Sequence, residues 1–463
     1  MKKIAIIGGG AAGLAAAIAA GNELARLGAA NECEIVLFEA DPERVGRSIL
    51  ATGNGRCNFS NAHIDPACYR NADFVEAVLR SLARLSEVSE WGSAQPVGAY
   101  GTSAQGSTQP AAAFEAPGRE STQSASVFEA PVQRFFSDLG LMWREEGEGR
   151  MYPAANKASS VLDVLRAALD VSGARVEFGK SLRAIELPAK GKMRFHLRFS
   201  NGSIAHAEKV VLAVGGRGVS AVDTSSAIPC ELTRPVLGPL ATDSRITRQL
   251  NNIRVKCAVS LERSGSPVAR EEGELLFRDY GVSGVCVFNL SRFACEGDVL
   301  SIDFLPHMPA ADRDAWLFAR RKHLSARLGE NGQIAAEDVL RGAMLPQVAQ
   351  VLCKCAGIDP ARPLSKKDVL ALSRVIGGLR LTVRGIGDAK QCQVSRGGLS
   401  IAAFDPQTMG AVRASGLFAA GEALDVDAPC GGYNLHWAWS SGLLAGASAA
   451  RSAVSADGEG EGE

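Results

Sequence analysis

The residues best placed to do chemistry are glycines accompanied by polar side chains, and they cluster at three places in the chain. At the first, Ile4–Ile7 runs into Gly8-Gly9-Gly10-Ala11-Ala12-Gly13, an Ala/Leu-rich stretch follows, and Glu34–Phe38 ends at Glu39. Gly8 permits a tight turn, Gly10 lets backbone amides approach a pyrophosphate, and Gly13 lets helix and sheet pack closely. The helix start, with Ala12 in its first turn, adds N–H donors and the positive end of a dipole for the phosphates. Glu39, followed by Ala40, can accept from ribose hydroxyls; a carboxylate there suits a 2′-OH and points to FAD or NAD rather than NADP.

The second place is Gly46-Arg47-Ser48, continuing to Thr52-Gly53-Asn54-Gly55-Arg56-Cys57-Asn58. Glycines alternating with hydrogen-bonding residues suit backbone wrapped against a flat polar ligand, so Arg47, Thr52, Gly53, Asn54, Gly55, Arg56 and Asn58 are expected to contact a cofactor. Cys57 reads either as a small buried residue or as a proton donor; it is the candidate catalytic residue. The third place is Gly416–Glu422 followed by Gly431-Gly432-Tyr433-Asn434. Here Gly421 and Glu422 are expected near ribityl hydroxyls. Gly432, Tyr433 and Asn434 would aim a helix start at a flavin pyrimidine edge, where reduction places negative charge. His436 follows directly, with packing as its plainer reading.

These three segments must be brought together by an α/β scaffold. The 463 residues exceed one ordinary domain. Patterned α/β sequence runs from Lys2 to about Val88 and resumes around Val132. Between them, the composition of 92–131 buries too little apolar surface to offset chain entropy, and a disordered insertion is expected. After Val210–Val214 the text becomes short alternating segments such as Ala258–Leu261, Glu274–Phe277 and Val299–Phe304, which predict a small antiparallel β unit. Helical spacing follows over Ala311–Leu328 and Ala335–Ala356. The α/β texture then returns with strand Leu417–Ala420 and a helix over Leu435–Ala450, so the cofactor domain is discontinuous. The expected division is 1–218 and 389–454 for the cofactor domain, 219–310 with 365–388 for the β unit, 311–364 for a helical insert and 455–463 for a disordered tail.

Lys plus Arg and Asp plus Glu both total 50, so no global field favours nucleic acid or an anionic membrane, and any such partner needs a local patch. Arg313–Arg327 and Arg362–Arg384 are the two basic runs. Eleven cysteines without framework spacing, and a Met1 leading almost directly into a strand, point to a reducing cytoplasm. The longest apolar run, Ala11–Ala20, is too short to span a bilayer. Cys353-Lys354-Cys355 lacks further ligands at zinc spacing, so no metal is expected.

Taken together, the three glycine segments resemble a family of bacterial flavoproteins described as aminoacetone-oxidase-like, or as NAD(P)/FAD-dependent oxidoreductases similar to the bile-acid-inducible steroid reductase. The Thr-Gly-Asn-Gly-Arg-Cys-Asn and Gly-Gly-Tyr-Asn-Leu elements carry the likeness, along with Ala213, Gly215 and Gly216. It implies an α/β fold: a discontinuous Rossmann-like FAD/NAD(P)-binding domain interrupted by a translation-factor-like β-barrel and a small helical insert domain. Ser48, Arg278 and Ala403 depart from the family pattern, as does the shortened stretch between Gly218 and Pro235. The implied activity is FAD-dependent: NAD(P)H-driven hydride transfer through flavin N5 to an electron-poor C=C. A uridine of large-subunit ribosomal RNA, giving dihydrouridine, is one acceptor; a small-molecule enone reductase or amine oxidase, and a non-catalytic flavin-binding sensor, are the alternatives. No second strand-GxGxxG-helix unit is present, so the nicotinamide is expected to share the flavin face with the acceptor.

Overall fold

The computed structural model describes residues 1–88, 128–188, 194–224, 228–328 and 333–455. The chain divides into two compact units, Met1–Thr233 with Gly397–Glu463, and Arg234–Arg396. These boundaries lie further along the chain than the expected 218 and 389. The chain passes between the units through Cys230–Val236 and Val394–Leu399, which pair as a two-stranded ribbon.

The first unit is built on a five-stranded sheet in the order Leu417–Ala419, Lys209–Leu212, Lys2–Ile7, Cys33–Phe38, Arg175–Glu177. All four strand pairs are parallel, so all five carboxyl ends share one edge. Ile4, Ala5, Ile6, Val36 and Leu37 are fully buried, as expected for parallel strands covered on both faces. Two helices pack together on this sheet, Ala11–Arg26 and Tyr433–Ser455. Their backbones are nearly in contact: a Cβ on Gly442 would lie 2.4 Å from Ala12 O, and one on Gly446 2.1 Å from Ala16 O. These two glycines are four residues apart and share a helix face. A side chain at either would force the helices apart.

In the second unit Leu240–Thr242, Gly281–Ser283, Ser266–Arg278, Arg254–Arg263, Val299–Asp303 and Leu379–Ile386 close into a barrel in that order. The alternating segments read from sequence lie in its strands. Helices Ala310–Leu328, Pro346–Cys355 and Lys366–Ile376 are inserted between its last two strands in chain order. The span 365–388, expected as barrel, therefore begins as helix. Ser365 caps it, with Asp368 completing a reciprocal capping box, a local signal that outweighs the texture reading. Pro346 at a helix first turn likewise delays the helix expected from Ala335.

Most of the expected insertion at 92–131 lies outside the described residues, as does the tail beyond Ser455. Its end does not follow expectation: Glu129 is buried and Ala130–Asp138 is helix. Among the described residues, no helix is long and apolar enough to cross a membrane.

Candidate cofactor site

The first glycine turn sits at the carboxyl edge of the sheet. Gly8 has φ +104° and donates its N–H to Phe38 O at 2.8 Å. A Cβ on Gly13 would fall 1.8 Å from Gly8 O, so Gly13 serves the close helix-strand approach. Gly10 is different, because a Cβ there would meet only Ser48 Oγ, at 3.4 Å. It caps helix Ala11–Arg26 without any side-chain bond, and the first bond into the helix is Leu14 N–H to Gly10 O, 3.0 Å. The amides of the first turn therefore have no intrahelical acceptor. Open space beside uncapped amides and a helix dipole is what a pyrophosphate fits.

Glu39 is clamped next to this turn, its two carboxylate oxygens accepting from the N–H groups of Gly9 at 2.5 Å and Asp41 at 2.7 Å. Each oxygen retains a lone pair for a ribose hydroxyl. Ala40 is exposed and Ala12 buried. From the neighbouring strands, Ala213 N–H bonds Ile7 O at 2.9 Å, and Gly215 has φ +71° with no atom within reach of a Cβ. Gly216 is buried in the short helix that follows. Gly421 arrives from the sheet edge, where a Cβ would be 2.7 Å from that of Ala12. Its N–H bonds Ser441 Oγ at 2.8 Å, and Trp437 Nε1 donates to its carbonyl at 3.0 Å. Glu422 is half-buried beside it.

The second motif forms a left-handed turn. Gly53, Asn54, Gly55 and Cys57 all have positive φ, between 55° and 80°. Two of the four carry side chains, and such backbone persists only where its surroundings hold it. Thr52 bonds the turn at both ends, its hydroxyl donating to Ile49 O at 2.7 Å and its carbonyl accepting from Cys57 N–H at 3.1 Å. Arg47 is exposed, 3.5 Å from Asp41. Arg56, expected at the cofactor, is held by neighbours within the chain. Its guanidinium stacks 4.0 Å over the Tyr152 ring and donates to Asn156 and Glu146, tying the turn to the Trp143–Pro153 hairpin. Asn58 Oδ1 accepts from Met151 N–H at 3.0 Å on the same hairpin. Cys57 is 0 % exposed, and burial pushes its thiol up to about 11 against the Thr52 hydrogen bond. It holds a proton at neutral pH but touches no solvent.

The third motif closes on the second. Gly431 and Gly432 have φ +128° and +100°, and a Cβ on Gly432 would be 2.2 Å from Ser60 O. Asn434 pins the preceding loop, accepting from Ala428 N–H at 2.9 Å and donating to Ala428 O at 2.8 Å. Tyr433 donates its hydroxyl to His63 O at 2.8 Å; burial pushes this half-buried phenol up to about 12. Three residues that sequence reasoning passed over complete the closure. Asn61 Nδ2 donates to Gly431 O, Tyr69 Oη donates to Tyr433 O at 2.8 Å, and Arg70 Nε donates to both carboxylate oxygens of Asp425 at 2.8 Å. His436, fully buried, contacts Ser60 Oγ through Nδ1 at 2.9 Å and Phe128 O through Nε2 at 3.1 Å.

The model of the family described as HI0933-like protein Rossmann domain matches residues 119–448, more than half of the chain. The chain belongs to the HI0933-like family. It is accordingly an FAD-dependent oxidoreductase. This HI0933-like chain is 29% identical to a 3-dehydro-bile acid delta(4,6)-reductase of Clostridium scindens, over 97% of this chain and 99% of that one. It is 24% identical to a ribosomal RNA dihydrouridine synthase of Escherichia coli, over 94% and 95%. Among solved structures it is similar to the FrdA subunit of E. coli quinol fumarate reductase, at 17% identity and TM-score 0.42, covering 100% of this chain and 72% of that one. Among the described residues, no group of three or more His, Cys, Asp or Glu is placed to hold a metal ion.

Proposed function

We infer that the protein reduces a C=C conjugated to a carbonyl, taking hydride from NADH or NADPH and delivering it to the alkene on one flavin face. What supports this reading is the approach of the three glycine loops to one another, with no second strand-GxGxxG-helix unit among the described residues for a nicotinamide of its own. Reductant and acceptor then use the same face in turn. Both curated relatives, as named, fit one chemistry. A 3-dehydro steroid with C4 and C6 unsaturation and a uracil ring each present an alkene conjugated to a carbonyl, which hydride attacks at the far carbon.

FAD, when bound, supplies the two-electron carrier between the nicotinamide and the alkene. The chain's part is to hold it and to provide a proton. The uncapped amides of the first helix turn would hold the pyrophosphate, Glu39 the ribose, and the Tyr433–Ser455 helix start the end of the ring that gains charge on reduction. Cys57, the donor read from sequence, could reach an acceptor only if the 53–57 turn opened. Tyr433 needs no such opening, and it is the donor this reading favours.

A small molecule is favoured over ribosomal RNA by five arginines of the basic runs, which are engaged within the second unit. Arg313 pairs with Asp303, Arg362 with Asp368 and Arg380 with Glu262; Arg320 and Arg321 donate to backbone carbonyls of residues 339, 341 and 364. The deciding experiment reduces the flavoprotein anaerobically with NADH or NADPH in D2O, so that the exchangeable hydrogen on N5 is deuterium, and then adds a steroidal enone. Rapid reoxidation with deuterium at the β-carbon is expected. Reoxidation only by RNA with a uridine target would replace the small acceptor, and reduction without any acceptor would make the protein a sensor. Tyr433→Phe should slow reoxidation at least 100-fold, while Cys57→Ala should retain most of it.

A further inference from the structure

Asn61 joins three segments with one side chain. It is 3 % exposed, on the two-residue strand Ser60–Asn61 that follows the second glycine motif. Its Nδ2 donates to Glu148 O and to Gly431 O, each at 2.9 Å, and its Oδ1 accepts from His63 N–H at 2.8 Å. Two carbonyls and one N–H leave a single orientation for the amide. The backbone closes tightly around it: a Cβ on Gly149 would lie 2.5 Å from Asn61 Oδ1, and Glu148 itself has φ +65°.

What Asn61 holds matters more than how it is held. Gly431 precedes Gly432, whose carbonyl accepts from His436 N–H at 2.9 Å and so begins the Tyr433–Ser455 helix. Gly431, with φ +128°, has no side chain to fix its own peptide plane. The Asn61 bond to Gly431 O and the close contact of Gly432 with Ser60 O together set where the helix starts.

We propose that Asn61 is a positioning residue that aims the first-turn amides of the Tyr433–Ser455 helix and thereby sets the reduction potential of the flavin. This rests on the flavin reading above. A helix N-terminus favours negative charge within its first turn, and a two-electron-reduced flavin carries more of it than the oxidised form. Asn61 therefore stabilises the reduced state more than the oxidised state. A residue that merely supported the fold would weaken both affinities alike and leave the potential unchanged.

The test uses the full chain with FAD and the variants Asn61→Asp and Asn61→Ser; the second removes the amide without burying a charge. Affinity for FAD is measured by fluorescence quenching, the potential by equilibration with redox dyes, and folding by the melting of flavin-free protein. His63→Ala is the control, because Asn61 uses only the His63 backbone and its ring is exposed. Both Asn61 variants should lose reduced-form affinity at least tenfold more than oxidised-form affinity, which for a two-electron couple is a potential about 30 mV more negative. The control should match wild type. Weaker binding at an unchanged potential would overturn the proposal, as would wild-type values in both variants or failure of both to fold with excess FAD. If the wild-type protein bound no FAD, the flavin reading itself would fail.

Discussion

The two compact units use polar residues in opposite ways. In the first, polar side chains reach between loops far apart in sequence: Asn61 to Gly431, Arg70 to Asp425, Ser60 to His436. The same unit leaves a glycine-capped helix start without a side-chain cap. In the second, Arg313, Arg320, Arg321, Arg362 and Arg380 of the basic runs bond carboxylates and carbonyls of their own unit, and Leu261, Leu275, Leu300 and Leu381 fill an apolar core. Polar groups that leave amides unanswered make a ligand site. Polar groups that answer each other make a scaffold.

The comparison can be broken first at two glycines only three residues apart. Gly13→Ala should destabilise the flavin-free protein by about 3 kcal/mol, the upper part of the usual overpacking range, because its Cβ would sit 1.8 Å from a backbone oxygen. Gly10→Val should melt within about 1 kcal/mol of wild type, since its nearest neighbour is a serine hydroxyl at 3.4 Å, yet retain no FAD. Thermal melts of flavin-free protein, with flavin content read by absorbance, check both. Stoichiometric FAD in Gly10→Val would contradict the pyrophosphate assignment.

The close packing at Gly13 was legible because it depends on residues within one strand-turn-helix. Gly442 and Gly446 serve the same purpose, but their partners, Ala12 and Ala16, lie at the other end of the chain, and no local pattern announces them. Asn61 and Arg70 are hidden for the same reason. Arg56, expected at the cofactor, also has Tyr152, Asn156 and Glu146 around it, partners about 100 residues away that its place among glycines does not announce. The barrel was visible as alternation. Its closure and strand order depend on pairings that periodicity does not encode.

His436 sharpens the contrast through pH. Burial pushes its imidazole down to about 4, against the hydrogen bond that Nε2 donates to Phe128 O. The unfolded chain therefore takes up a proton near pH 6.5 while the folded protein does not. The stability linked to His436 is present above pH 6.5 and is lost as pH falls toward 4, by about 2 kcal/mol between pH 6.5 and 5. Denaturant titrations at those two pH values measure the loss. A His436→Gln variant should show a correspondingly flatter response, and a slope equal to wild type would place the acid sensitivity elsewhere.

The smallest expected effect belongs to the second unit. With Arg313, Arg320, Arg321, Arg362 and Arg380 bonded internally, Lys322, Lys366 and Lys367 are cations of the basic runs outside those bonds. Exposed single charges contribute little to stability, so replacing all three with glutamine should shift it by no more than about 0.5 kcal/mol. If the acceptor is a small enone, turnover should also stay within twofold, with no new salt dependence. If the acceptor is RNA, each lost phosphate contact would reduce the salt slope of binding by about one and weaken binding across sequences alike. Steady-state assays at 50 and 200 mM salt therefore distinguish charge that serves the scaffold from charge that serves a substrate.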